Sequence, residues 1–243
     1  ENTLSILITR DGGNSWTKIP SRQLPQVREG EAAFAASNSN IVIKGNAAWI
    51  VSGGKKSRVF YSSNKGKSWT VYETPIVQGQ QMTGIFTADF YDKKEGFVAG
   101  GNYNFGIALL NADGTLDTSF NTSGKLVFNF EENINYLRSA SLQSDGKIIV
   151  AGQCGTSSNA DFAIARINPD GTFDTTFGIQ GKQRIAIQSD DRGRCVAIQS
   201  DGKIVMGGYS YPINNNNCWF TAIRLTQQGQ LDSSFATNGK FIT

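Results

Sequence analysis

The chain has 243 residues, 39% hydrophobic and 18% charged, with 27 glycines, a globular, turn-rich composition rather than a disordered or fibrous one. Its 23 basic and 20 acidic residues leave a net charge of +3, too small an excess to predict a nucleic-acid partner, and no apolar stretch is long enough to predict membrane insertion. Histidine is absent and cysteine occurs three times; the first fact removes the commonest general base and metal ligand, and the second, an odd count without CxxC spacing, argues against a zinc site and a full disulfide framework.

In chain order, the first strand-like run is Leu4-Ser5-Ile6-Leu7-Ile8, close behind an opening Glu1 with no initiator methionine or signal peptide, so the chain reads as a mature product or a cut piece. Thr9-Arg10-Asp11-Gly12-Gly13-Asn14-Ser15-Trp16 follows and returns 53 residues later as Ser62-Ser63-Asn64-Lys65-Gly66-Lys67-Ser68-Trp69. In each copy the Asp or Asn and the Gly shape a tight turn, and the Trp is expected to pack back under it. The second half carries another repeat. Asn111-Ala112-Asp113-Gly114-Thr115-Leu116-Asp117-Thr118-Ser119-Phe120 returns 57 residues later as Asn168-Pro169-Asp170-Gly171-Thr172-Phe173-Asp174-Thr175-Thr176-Phe177. A degraded third copy, Gln228-Gly229-Gln230-Leu231-Asp232-Ser233-Ser234-Phe235, comes 58 residues after that. Gln143-Ser144-Asp145-Gly146-Lys147-Ile148-Ile149-Val150-Ala151-Gly152 also returns, 56 residues on, as Gln199-Ser200-Asp201-Gly202-Lys203-Ile204-Val205-Met206-Gly207-Gly208.

Short β-branched and apolar runs bounded by Gly, Asn and Asp separate these signatures, and none sustains a helical period, so almost no helix is predicted. The best unit has strands at 137–142, 147–152, 161–168 and 182–188. Its second strand, with Ile148, Ile149 and Val150 in a row, is apolar on both faces, as a strand between two neighbouring sheets must be. Four-stranded units repeating every roughly 40–60 residues are blades of a β-propeller. The count places strands three and four of a first blade in 4–20, and full blades at 31–76, 82–130, 136–188 and 194–243. The predicted fold is therefore all-β, a propeller of four full four-stranded antiparallel blades plus a half blade, about five in all. The half blade leaves an inner edge uncovered, which predicts that it is covered by ring closure, by a partner chain (self-association through the open first blade included) or by sequence missing from this chain.

The motif at 9–16 resembles the Asp-box of bacterial neuraminidase repeats, S/T-x-D-x-G-x-S/T-W, and the copy at 62–69 departs from it with Asn64 in place of Asp. That resemblance implies a structural hairpin in which Asp11, Gly13, Trp16, Asn64, Gly66 and Trp69 shape turns and catalyse nothing. Residues 105–243 resemble the delta-60 repeat of long bacterial surface and secreted proteins, which implies the same fold and a secreted or cell-surface location. The chain is thus expected to join Asp-box type blades in 1–101 to delta-60 type blades in 102–243 as one propeller domain, and the switch in composition suggests a chimera of two partial propellers.

For chemistry, the R-I-P motif of sialidases is absent, Arg184-Ile185-Ala186 being a near miss, and no dinucleotide motif is present, so no catalytic residue, metal or cofactor is assigned. Asp113 with Asp117, and Asp170 with Asp174, read either as calcium loops or as turns whose carboxylates accept backbone N–H groups; the degraded third copy loses one carboxylate, which fits turns. Cys154, Cys195 and Cys218 fall towards one rim of the blades, either bridged in part or as three separate thiols. The same rim gathers Lys55, Arg58, Tyr103, Tyr136, Arg192, Arg194, Tyr209, Tyr211 and Trp219 in variable loops, residue types that suit a glycan or a peptide. The expected function is a non-enzymatic scaffold or binding module that engages a protein or glycan through this rim. The rivals are a carboxylate-based polysaccharide hydrolase or lyase, and a recombined or designed propeller with only a structural or self-assembly role.

Overall fold

The structure, a computed structural model, describes residues 4–33, 39–80, 83–92, 95–101, 104–111, 115–130, 134–212 and 217–243. Strands β1 (Leu7–Ile8) and β2 (Thr17–Lys18) pair as a hairpin. Next come β3 (Glu31–Ala32), β4 (Ile41–Lys44), β5 (Ala47–Val51), β6 (Gly53–Gly54), β7 (Arg58–Ser62) and β8 (Thr70–Glu73). Of these, β4-β5-β7-β8 form one antiparallel sheet and β3 pairs with β6 alongside it. Strands β9 (Ile85–Phe90), β10 (Glu95–Gly100), β11 (Phe105–Asn111) and β12 (Lys125–Phe128) form the next sheet. The fourth blade is β13 (Ile134–Leu142), β14 (Ile148–Gly155), β15 (Ala160–Ile167) and β16 (Lys182–Ile185). The last is β17 (Asp190–Ile198), β18 (Ile204–Tyr211), β19 (Trp219–Leu225) and β20 (Lys240–Ile242). Four full blades and a half blade are present, and helix among the described residues amounts to two short 3-10 turns, Ser21–Gln23 and Phe120–Thr122.

Apolar side chains on both faces of the middle strands hold neighbouring blades together. In β14 every residue is buried. Its even-numbered side chains, Ile148, Val150 and Cys154, pack with Phe97, Phe105 and Ile107 of the preceding blade. Its odd-numbered side chains, Ile149 and Ala151, pack with Ile204, Met206 and Ile223 of the following one. Between the second and third blades, Trp49 stacks on Phe90 with ring centroids 4.1 Å apart. Each Ile, Val, Phe or Met among them, fully buried, contributes about 1.5–3 kcal/mol, and a side chain shared between two blades couples their folding.

The repeat turns are built as the sequence predicts. Asp11 accepts from the backbone N–H of Ser15 at 2.9 Å and from the hydroxyls of Thr9 and Ser15, and Trp16 Nε1 donates to Gly13 O at 3.0 Å. These bonds, the Ser15 hydroxyl first, hold the Asp11 carboxyl down to about 2. Asn64 does the same work with Ser68, and Trp69 Nε1 donates to Gly66 O at 3.2 Å. Trp16 itself stays 59% exposed. In the second half, Asp117, Asp170 and Asp174 each accept from a backbone N–H and a hydroxyl two residues on. Asp174 also pairs with Arg166 at 2.8 Å and Lys147 at 3.1 Å, and Asp232 repeats the arrangement with Arg224 and Lys203. Leu109 stands where those arginines do, so the Asp117 turn has no arginine partner among the described residues. Asp113 lies outside the described residues.

One expectation is corrected by β14. The sequence reading gives that strand as 147–152, whereas it runs from Ile148 on to Gly155. Gly152 sits inside the ladder because no other residue fits there: a Cβ on it would lie 1.8 Å from the carbonyl oxygen of Tyr136.

Candidate functional site

Gly152 is one of three equivalent glycines, and they create the site. In the register of β13 with β14, Leu137 faces Gly152 and Ser139 faces Ala151, so Arg138 is the extra residue of a bulge. In β17 with β18 the pairs are Gly193 with Gly208 and Cys195 with Gly207, which leaves Arg194 as the extra residue. In β9 with β10 the shift falls at Gly100 and leaves out Phe86. A Cβ on Gly100 or Gly208 would also meet a backbone oxygen, that of Gly84 at 1.9 Å or Arg192 at 2.2 Å. A bulge bends its strand and re-aims one side chain. Here the first strands of three successive blades, β9, β13 and β17, pack side by side, and each re-aims one residue at the same level.

The re-aimed residues meet. The Arg138 guanidinium lies 4.7 Å from the ring centre of Tyr136 and 5.6 Å from that of Phe86 on the neighbouring blade. Arg194 lies over Tyr209 at 4.9 Å and donates to its hydroxyl. Arg192, directly across the ladder from Tyr209, lies 5.7 Å from the ring of Tyr211, which meets Tyr209 edge to face. Asp190 binds Arg192 at 2.8 Å, which raises the Arg192 pKa, the hydrogen bond to Asp190 being the largest cause. Arg138 and Arg194 have no carboxylate partner among the described residues. Burial and then the positive charge of Arg194 push Arg138 down to about 10. Its Nε is buried without a hydrogen-bond partner, as is Oε1 of Gln153, which faces Tyr136 across the ladder.

Of the predicted rim residues, the structure therefore brings together Tyr136, Arg192, Arg194, Tyr209 and Tyr211. They were expected in loops and stand instead on strands β13, β17 and β18, because β13 and β17 begin earlier, and β18 ends later, than the hydrophobic pattern shows. Trp219 opens β19, paired with Ser210 and half-buried. Lys55 points elsewhere, to Glu29 at 3.4 Å. Arg58 is corrected outright: it is buried, donating from Nε to Glu31 at 2.8 Å and from Nη2 to Gln26 O at 2.9 Å, and Glu31 is wholly enclosed beneath it. Tyr103 lies outside the described residues. Sequence reasoning missed Arg138, although the 56-residue offset that relates Gly152 to Gly208 also relates Arg138 to Arg194.

The remaining candidates are structural. None of the three cysteines is in a disulfide, and Cys154 is buried whereas Cys195 and Cys218 are exposed. Among the described residues no group of three or more His, Cys, Asp or Glu is placed to hold a metal ion, and no helix is long and apolar enough to cross a membrane.

This repeated geometry is matched by one family model. Residues 96–120, 143–177 and 199–235 match the model of a domain of unknown function (DUF5122) β-propeller. The DUF5122 matches begin in β10, inside the blade where the two sequence repeats meet, and cover the second strand through the Asp turn of three successive blades. No curated protein matches the chain. Among solved structures, the chain is similar to an ulvan lyase of polysaccharide lyase family PL25, bound to -[GlcA(1-4)Rha3S]-, at 11% identity and a TM-score of 0.50, covering 77% of this chain and 51% of that one. It is similar to the polysaccharide lyase Uly1 at 11% identity and a TM-score of 0.50, over 82% of this chain and 54% of the lyase. It is also similar to YCF48 bound to D1 peptide, at 15% identity and a TM-score of 0.49, over 97% and 63%. The chain thus spans little more than half the length of the two lyases; at these identities the likeness is one of fold.

Proposed function

We propose that this chain is a non-enzymatic binding module or scaffold of an extracellular bacterial protein, secreted or at the cell surface, and that it engages a protein or glycan at the Arg and Tyr cluster on β13, β17 and β18. The observation that carries this reading is the convergence of Tyr136, Tyr209, Tyr211, Arg138 and Arg194 from two adjoining blades, with Arg138 and Arg194 at equivalent bulge positions. A rigid sheet positions them, and Tyr presents an apolar ring with a polar tip, the combination that recognition surfaces favour. The carboxylates nearby support binding over hydrolysis or elimination. Asp190 is committed to Arg192, Asp161 to Arg184, and Asp191 to the backbone amides of Ile187 and Gln188. A glycan and peptide panel tested by calorimetry checks the reading: Tyr209→Ala should abolish the interaction found with wild type. A reproducible turnover abolished by one point mutation would overturn it.

A second reading, self-assembly through the half blade, is favoured by a separate observation. Between β1 and β4 lies an open cleft of about 670 Å³ lined by Leu7, Trp16, Ile41, Ile43 and Trp69. Leu7 and Ile43 are 57% and 66% exposed there, which is where the inner strands of a complete blade would pack. Light scattering after size exclusion tests this, a dimer that Ile43→Asp dissociates supporting it and a monomer at all concentrations refuting it. The division into Asp-box type and delta-60 type blades belongs to the same proposal, and a natural genome encoding the same unbroken 243 residues would refute an engineered chimera.

A further inference from the structure

We infer that the cluster takes an anionic polysaccharide, gripping the oxyanion groups of its sugars with Arg138 and Arg194. The inference rests on the binding reading above and specifies its ligand. It starts from an imbalance of charge. Arg192 has its carboxylate in Asp190, while among the described residues no carboxylate pairs with Arg138, which lies over Phe86 and Tyr136, or with Arg194, which lies over Tyr209 and donates to its hydroxyl. An aromatic face attracts a guanidinium but gives its N–H edge no acceptor, and the one Tyr209 hydroxyl answers only one of the five donors of Arg194. A buried N–H without a partner costs free energy that an incoming acceptor recovers, and Arg138 Nε is such a group. Guanidinium presents a planar fork that matches carboxylate and sulfate oxygens in a bidentate manner.

The repeat argues for a polymer. Arg138 and Arg194 are the same bulge position in consecutive blades, so the fold presents one chemical group twice at the spacing of one blade. A chain of sugars carrying acidic groups at regular intervals presents the complementary pattern. The Tyr136, Tyr209 and Tyr211 rings beside the two arginines supply apolar faces for the sugar C–H groups and hydroxyls for their oxygens. The amide oxygen of Gln153, buried without a partner, is left to accept from a sugar hydroxyl.

Isothermal titration of the full chain with polygalacturonate, dextran sulfate and uncharged dextran tests this. At least one acidic polymer should bind, more weakly as salt rises, and dextran should not. Response to polygalacturonate alone identifies a carboxylate as the oxyanion, and response to dextran sulfate alone identifies a sulfate. Arg138→Gln and Arg194→Gln should each weaken that binding about tenfold, the loss of one charge-assisted hydrogen-bonded contact. Arg194 is partly exposed, so its variant should melt as wild type does and keeps the test valid if Arg138→Gln folds poorly. Equal binding of dextran and the acidic polymers, no binding of any of the three, or acidic binding untouched by Arg194→Gln would overturn the inference. The reading beneath it fails separately. If a neutral glycan or a peptide binds and only Tyr209→Ala weakens it, the binding reading stands without the anion; if no substitution in the cluster changes any interaction, both fall.

Discussion

Gly207 and Gly208 are adjacent in β18, yet adding a methyl group to each should have opposite consequences. At Gly207 the new Cβ meets only the Sγ of Cys195, at 2.9 Å, the end of a side chain that can rotate away. At Gly208 it meets the carbonyl oxygen of Arg192 at 2.2 Å and Cζ of Phe162 at 2.9 Å. The first of these belongs to the backbone of the bulge and the second to the core shared with the preceding blade, so neither can yield without moving a strand. Overpacking of this kind costs about 3 kcal/mol, the upper part of the usual range. For a chain of this length that lowers the melting temperature by roughly 6–12 °C. Gly207→Ala should fall within about 1 kcal/mol of wild type, because the stiffer unfolded chain offsets the displaced thiol. Thermal unfolding followed by circular dichroism reads both. A Gly208→Ala protein that melts no lower than Gly207→Ala would refute the argument that these glycines exist to let the bulge close.

Glu31→Gln should be among the most damaging conservative changes, about 3–5 kcal/mol by denaturant unfolding, because it leaves the Arg58 guanidinium buried without its counter-charge. Asp174→Ala should cost a similar amount for the same reason at Arg166, whereas Asp117→Ala, in a turn with no arginine, should cost about 1 kcal/mol. Burial pushes the Asp174 carboxyl upward, but the Thr176 hydroxyl and amide, Lys147 and Arg166 outweigh it and hold it well below the usual carboxylate range. The folded state therefore binds this proton less readily than the unfolded one. The stabilisation is complete above the unfolded value of about 3.9 and is lost as pH falls from there towards the folded value. Melting temperatures should decline below about pH 4 in wild type, and less steeply in Asp174→Ala. Alkylation of the native protein, read by mass spectrometry, should modify Cys195 and Cys218 and spare Cys154 until denaturant is added; a native protein labelled three times would contradict the packing of β14.

The blade count, the order of strands and both kinds of turn were legible in the sequence because each depends on neighbours along the chain. Asp11 and Gly13 make their turn within a few residues, and Ile148-Ile149-Val150 reveals burial on two faces by itself. The half blade was legible too, since it is only a matter of counting repeats. Tertiary structure alone decided what the rim residues do. Arg58 and Arg194 are the same residue type in similar surroundings of sequence, and only the fold gives one of them a buried carboxylate and the other an aromatic ring. Arg138 and Phe86 became visible through a register shift between strands, which depends on how closely two backbones approach across a ladder. The glycines that permit this approach stand openly in the sequence at 100, 152 and 208, but what they admit is the partner strand's carbonyl, and that is a fact of packing between segments.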